Sequence, residues 1–265
     1  MEQTRWNALW ISDVHLGTRG CKAAQLLAFL KSHPCKQLYL VGDIIDGWRI
    51  STSKWYWPSD HNKVLRRILR MAEKEHTQVT YIPGNHDEFL RGYLHGHLLQ
   101  MGNIRVLHET IHTTLRGDKL WVVHGDIFDG ATRHPKLVTL LGDAGYTLLQ
   151  GINGVVNHCR RLFHLPYWSL ATAVKRKVKT AATYIADYEE AVAHETRRRG
   201  HDGVVCGHIH HASQRTIGGV QYFNCGDWVE SCTAIAEDLH GEFHVLHWQD
   251  SQSLQETVVP LKLTA

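Results

Sequence analysis

The sequence predicts an α/β fold: two packed sheets, helices on the outside and one helical insertion. Three observations lead there. Apolar runs and amphipathic stretches alternate as β-α-β-α-β through residues 6–82. Short strand patterns return at residues 203–248. Between them, residues 127–197 carry helical spacing and no convincing strand. The chain therefore reads as a single domain over 1–265, with 127–197 as a helical lid inserted into it.

Each element has its own reason. Residues 6–12 form an apolar strand that delivers Asp13 and His15. Lys22–Leu30 has helical spacing through Leu26, Leu27, Phe29 and Leu30, and Pro34 follows it. Residues 37–42 are a buried strand ending abruptly at Gly42-Asp43. Residues 47–60 read as an aromatic loop with Trp48, Trp55, Tyr56 and Trp57. Residues 61–75 are an amphipathic helix, and Gln78–Ile82 is a third strand closed by Pro83-Gly84. Strands are expected at about 104–107, 110–116 and 119–124, the last two joined by a hairpin at Gly117-Asp118. The C-terminal strands are placed at 203–206, 212–217, 220–224, 232–237 and 241–248, with a hairpin at Gly218-Gly219.

Composition narrows the function. Hydrophobic content of 43% and charged content of 21% are those of an ordinary globular protein and argue against disorder. A net charge of +3 over 265 residues does not by itself imply a nucleic-acid binder. The six cysteines form no C-x-x-C pair and frame no disulfide scaffold, so reduced thiols in a cytosolic compartment are expected. Met1–Arg5 leads into no apolar stretch before a cleavage site, and no signal peptide is inferred. The 21 histidines permit metal chemistry without proving it.

Five clusters of metal-type ligands each follow an apolar run. They are Asp13-Val14-His15, Gly42-Asp43 with Asp46, Gly84-Asn85-His86-Asp87, His124-Gly125-Asp126 and Gly207-His208-Ile209-His210. A lone Asp-x-His is usually chance, and a lone Gly-Asp is usually a turn. All five together are hard to assign to chance. Hard divalent cations take oxygen and imidazole donors, and two close ions need a shared anion, for which Asp43 is the candidate. Asp13 and His15 are two apart on a segment read as extended, so their side chains would share a face, and His208 and His210 repeat the spacing. A neutral Asn85 keeps the negative charge low enough for a phosphate to approach.

Together these residues resemble the calcineurin-like metallophosphoesterases, over residues 11–210. The resemblance implies a four-layer α/β/β/α sandwich with a dinuclear centre in its loops. It implies that Asp13, His15, Asp43 and His210 hold one ion, and that Asp43, Asn85, His124 and His208 hold the other. The ions are divalent. Mn²⁺ is favoured by the resemblance, and Fe or Zn²⁺ would also suit the donors. The reaction implied is in-line attack on phosphorus by a metal-activated water, without a covalent enzyme intermediate. His86 would stabilise the transition state or protonate the leaving group, and Asp46 would orient His86.

The substrate must be sought in the insertion. Residues 158–180 carry Arg160, Arg161, Lys175, Arg176, Lys177 and Lys179, no Asp or Glu, and interleaved aromatic and apolar residues. That composition suits an anionic membrane surface or a phosphorylated lipid, and equally a solvated helix with an apolar core face. Residues 137–156 are more apolar, but Asp143 and several glycines interrupt them, so a lid is expected and not a span. In these features the chain resembles the UDP-2,3-diacylglucosamine pyrophosphatase branch, peripheral enzymes of lipid A biosynthesis at the cytoplasmic face of the bacterial inner membrane. These form lipid X (2,3-diacylglucosamine 1-phosphate) and UMP. Lys175 and Lys179, at i and i+4, and Arg49 would then contact substrate phosphate. Two stretches depart from that branch. It typically has Gly-Asn-Arg-Asp where this chain has His86, and Asn224–Cys232 also differs. A divergent paralogue acting on another nucleotide-linked or phosphorylated lipid is one alternative. A soluble nucleotide phosphodiesterase or nuclease is another, and a non-catalytic binding module a third. No nucleic acid or protein partner is inferred.

Overall fold

The computed structural model describes residues 6–50, 55–94, 99–129 and 170–248. Two sheets form the frame. The first has seven strands: β1 (Trp6–Ile11), β2 (Cys35–Val41), β3 (Gln78–Ile82), β4 (Leu99–Met101), β5 (Ile104–Val106), β11 (Thr233–Glu237) and β12 (Phe243–His247), in the order β12-β11-β1-β2-β3-β5-β4. The second has five: β6 (Thr110–Thr113), β7 (Lys119–Val122), β8 (Gly203–Cys206), β9 (Ser213–Ile217) and β10 (Val220–Asn224), in the order β6-β7-β8-β10-β9. The inner strands of both sheets run parallel, and antiparallel strands close the edges.

Strand alternation explains the layering. In β1, Leu9 and Ile11 join the core shared with the helices, whereas Ala8 and Trp10 join a second core with strands of the other sheet. In β2, Leu38 and Leu40 take the first side and Tyr39 and Val41 the second. Both faces of β1 and β2 are thus buried, as parallel strands require. The outer face of the first sheet is covered by α1 (Ala23–Ser32) and α3 (Ser59–Lys74), which also pack on each other. Helix α3 buries His61, Val64, Ile68, Met71 and Ala72, a single stripe at helical spacing. The mixed α/β sandwich expected from the sequence is the fold found.

Local differences are small and physical. The 47–60 stretch is not all loop: Gly47–Ile50 forms a single-turn helix, α2, and α3 begins at Ser59. A 3-10 helix at Glu88–Tyr93 and the three-residue β4 were not anticipated. The hairpins at Gly117-Asp118 and Gly218-Gly219 are present.

The chain divides into two compact units, 1–126 with 192–265, and 127–191. Helix α4 (Leu170–Arg198) contains the boundary. Within the smaller unit, the Phe128 ring meets Tyr188 edge-on at 6.2 Å and the Tyr184 hydroxyl donates to Asp129. The apolar run 137–156 and most of the basic segment 158–180 lie outside the described residues. Among the described residues, no helix is long and apolar enough to cross a membrane.

Candidate metal centre

The site is built where parallel strands end, the position at which open α/β sheets place their chemistry. Asp13 and His15 follow β1, Asp43 and Asp46 follow β2, and Asn85 and His86 follow β3. His124 follows β7, and His208 and His210 follow β8.

The backbone there is unusual. Asp13, His15, Asp43, His208 and His210 have φ of 52°, 53°, 54°, 71° and 53°. This overturns the expectation that Asp13–His15 and His208–His210 lie on extended segments. Each pair instead takes the left-handed region, at about 1–2 kcal/mol per residue. Such strain persists only where packing and hydrogen bonds over-determine it. Here β1 and β2 lock together beyond their ends: Asp13 N donates to Gly42 O, and Val14 N and His15 N both donate to Asp43 O. Gly84 is required by close approach, since a Cβ there would collide with Asp43 Oδ1 and the His124 ring. Gly42 is excluded from other identities twice over, by φ of +78° and by the His124 ring against it.

Three groups of titratable donors result, each with its atoms within 4.8 Å of one another: Asp13/His15/His210, His15/Asp43/His86 and Asp43/His124/His208. Asp43 belongs to two of them. Its Oδ2 lies 3.5 Å from His124 Nε2 and 4.0 Å from His15 Nε2. Its Oδ1 accepts the His86 backbone N–H at 2.8 Å. Asn85 Oδ1 is 3.3 Å from His124 Nε2, so Asn85 enters the Asp43/His124 side. Asp46 Oδ2 stands 3.1 Å from His86 Nδ1 and 3.5 Å from His15 Nδ1.

Proton placement follows from the partners. His124 Nδ1 is 2.9 Å from the Val41 carbonyl oxygen, which can only accept. Nδ1 therefore carries the hydrogen, and Nε2 turns toward Asp43 and Asn85, the arrangement that orients a metal-binding imidazole. Burial would drive His124 toward its neutral form, but Asp43 and Asp13 push it up to about 10. Burial opposes the charged form of His210 too, and Asp13 raises it to about 9. Burial would raise the Asp43 and Asp13 carboxyls, yet His124 and His210 respectively hold them below the usual carboxylate range. The carboxylates thus create a pocket that draws positive charge.

Several donor atoms also lack hydrogen bonds. Asp13 Oδ1, His15 Nε2, Asp46 Oδ1 and His86 Nδ1 are buried without an aligned partner. Asp13 Oδ1 sits 3.2 Å from His210 Nε2, but as an ion pair without hydrogen-bond alignment. Buried donors left unpaired in an all-oxygen and imidazole set fit divalent cations.

The nine residues Asp13, His15, Asp43, Asp46, Asn85, His86, His124, His208 and His210 are brought together. Arg49 is near in sequence, exposed on α2, its backbone N–H bonded to Asp46 O at 3.2 Å. Lys175 and Lys179 belong to α4 in the smaller unit, and their side chains lie outside the described residues.

Three contributors were given no structural role from the sequence. Asp87, fully buried, accepts backbone N–H groups of Gly84 and Ile44 and the Tyr81 hydroxyl, tying the loops after β2 and β3. Arg91 makes a two-pronged pair with Asp126, both contacts 2.8 Å, and donates to Pro83 O, linking the β3 and β7 loops. The Asn224–Cys232 stretch backs the centre: Trp228 N donates to Asp13 O, and Asn224 Nδ2 donates to Gly207 O. The one signal for Asp87 and Asp126 was their place in the ligand clusters. Nothing in the local pattern marked Arg91, and Asn224 was marked only as the start of a stretch that departs from the resembled branch.

A family model described as calcineurin-like phosphoesterase matches residues 7–212. Among solved structures, the E. coli phosphoesterase Yfce is 15% identical with a TM-score of 0.41, covering 91% of this chain and 99% of its own. A novel archaeal phosphodiesterase is 12% identical at TM-score 0.40, covering 91% and 98%. A single mutant of Vps29 from Entamoeba histolytica is 13% identical at 0.37, covering 91% and 99%. No protein of curated function matches.

Proposed function

The chain belongs to the calcineurin-like phosphoesterase family and is a metal-dependent phosphohydrolase; from that premise we propose how its residues divide the work and what it cleaves. Family and site together point to two divalent ions. Asp13, His15, Asp43 and His210 would hold one ion, and Asp43, Asn85, His124 and His208 the other, with Mn²⁺ as the metal. Bound there, the pair would neutralise phosphoryl charge and make a water acidic enough to attack phosphorus near neutral pH. The observation that carries this reading is the Asp43 carboxylate lying between the two sets, its Oδ2 4.0 Å from His15 Nε2 and 3.5 Å from His124 Nε2.

The chain's own groups supply the rest. His86, with its backbone fixed by Asp43 Oδ1 and its Nδ1 3.1 Å from Asp46 Oδ2, presents its other ring nitrogen as the donor to the phosphoryl or leaving-group oxygen. Asp46 orients that ring.

For the substrate we propose a nucleotide-linked lipid, UDP-2,3-diacylglucosamine in the first place, cleaved to 2,3-diacylglucosamine 1-phosphate and UMP. Its support is the sequence of the insertion, apolar at 137–156 and basic with aromatics at 158–180. Arg49, Lys175 and Lys179 would meet the substrate's phosphates. The same composition supports attachment to an anionic membrane, on the cytoplasmic face of the inner membrane. With Mn²⁺ added, the protein should release UMP from UDP-2,3-diacylglucosamine. Cleavage of oligonucleotides in place of that release would move the substrate to nucleic acid, and release of phosphate from another phospholipid would move it to a paralogous lipid.

A further inference from the structure

Every exposed large aromatic among the described residues lies on the loops after β2 and β3. Trp48 is 49% exposed, Trp55 36%, Phe89 44% and Tyr93 74%. The exposed large aliphatics of the same unit sit elsewhere: Leu69 on α3, Leu99 on β4, Ile111 on β6, and Leu115 and Leu239 in the turns beyond β6 and β11. Among the described residues, the loops after β2 and β3 therefore expose flat rings and no large aliphatic side chain.

Trp48 is the ring nearest the chemistry. Its centroid is 3.8 Å from that of His86, the planes tilted by 30°. One indole face is thus covered by the imidazole, and the half-exposed side chain leaves the other to solvent. Phe89 packs against Gly47, the residue before Trp48, where a Cβ would come within 2.7 Å of the Phe89 ring. Gly47 N donates to His86 O at 2.8 Å, a main-chain tie between the residue before Trp48 and His86.

We propose that Trp48, with Phe89 beside it, is a stacking subsite for a nucleobase, placed so that a base on the shelf sits next to the reacting phosphoryl group. The proposal rests on reading the His/Asp groups as a phosphohydrolase centre. Among the described residues of these two loops, an acyl chain would find no exposed large aliphatic side chain. A base finds an open indole face, and stacking on one such ring strengthens binding about tenfold or more whichever base is presented. The shelf would hold the nucleotide half of a nucleotide-linked substrate and leave the lipid half to other surfaces.

The test compares UMP with ribose 5-phosphate, which has the phosphate and sugar without the base. Both are measured as inhibitors of bis(p-nitrophenyl) phosphate hydrolysis by the Mn²⁺-loaded protein, and as quenchers of its intrinsic fluorescence. In the wild type UMP should bind about tenfold tighter than ribose 5-phosphate. Trp48→Phe should keep most of that ratio. Trp48→Ala should bring the two to within about twofold while ribose 5-phosphate binds as before. Trp48→Leu, which keeps apolar bulk and loses the ring, replaces the alanine variant should that one fail to fold. Equal affinities in the wild type would overturn the proposal, as would a base preference that survives in Trp48→Leu. Absence of hydrolysis with any metal would count against the phosphohydrolase reading instead, and the fluorescence titration would still decide the stacking.

Discussion

At the scale of single residues, Asp43 has the most demanding position. It is buried, adopts a left-handed backbone, faces His15 and His124, and fixes the His86 main chain. Partners that merely orient a ligand are worth about 10–100-fold in metal affinity or activity. Asp43→Ala should therefore lower hydrolysis by more than about a hundredfold and leave well under two ions per chain by elemental analysis. Two ions retained would remove the shared-ligand assignment. His86 separates from the ligands by the opposite pattern. His86→Ala should keep its metal and lose about 10²–10⁴-fold in kcat, the worth of a positioned proton donor, and wild-type turnover would exclude it from the reaction. These residues were legible in sequence because short polar clusters break long apolar runs. Trp48 on His86 was not, because stacking between two loops leaves no trace in local spacing. Nor was the left-handed backbone, since alternation along a chain says nothing about φ once the strand has ended.

Between residues and the whole lie the loops that the strands hold apart. The long elements were readable because each repeats its period several times: β3 falls on Gln78–Ile82 as expected, and α3 within two residues of its expected limits. Helix α2 has four residues and β4 three, too few for any periodicity to register. The ties between loops are a second kind of unreadable structure. Asp87 joins the β2 and β3 loops by collecting Gly84 N, Ile44 N and the Tyr81 hydroxyl onto one buried carboxylate. Removing the acceptor strands those donors, at about 1–3 kcal/mol each. Asp87→Ala should lower the melting temperature by roughly 6 °C at the low end of that cost and several times more at the high end, at about 2–4 °C per kcal/mol, with Asp87→Asn, which keeps one acceptor oxygen, between it and wild type. A melting curve for Asp87→Ala that overlays the wild type would show that the loops are held by other means.

On the scale of the molecule, the two sheets meet through more than apolar packing. Glu237 on β11 is fully buried and takes hydrogen bonds from Asn7 on β1, His112 on β6 at 3.0 Å and the Leu115 backbone N–H at 2.7 Å. The Tyr39 hydroxyl on β2 reaches the other nitrogen of His112 at 3.0 Å, and Trp10 meets the same imidazole edge-on at 4.9 Å. One carboxylate therefore gathers strands of both sheets. Burial works to raise the Glu237 carboxyl, but His112, Leu115 N and Asn7 together hold it below its usual value. A carboxylate with a depressed folded-state pKa contributes its full stability above the unfolded value of 4.5 and loses it as pH falls through the folded value. Glu237→Gln keeps the shape and one acceptor and removes the charge. Leaving buried donors without their acceptor costs about 1–3 kcal/mol each, and the amide should recover part of that. The variant should therefore unfold at distinctly lower urea than wild type at pH 7, and the gap should narrow steadily below about pH 4.5. A gap that stays constant with pH would mean that Glu237 joins the sheets as a neutral acceptor, and that its charge contributes nothing to holding them together.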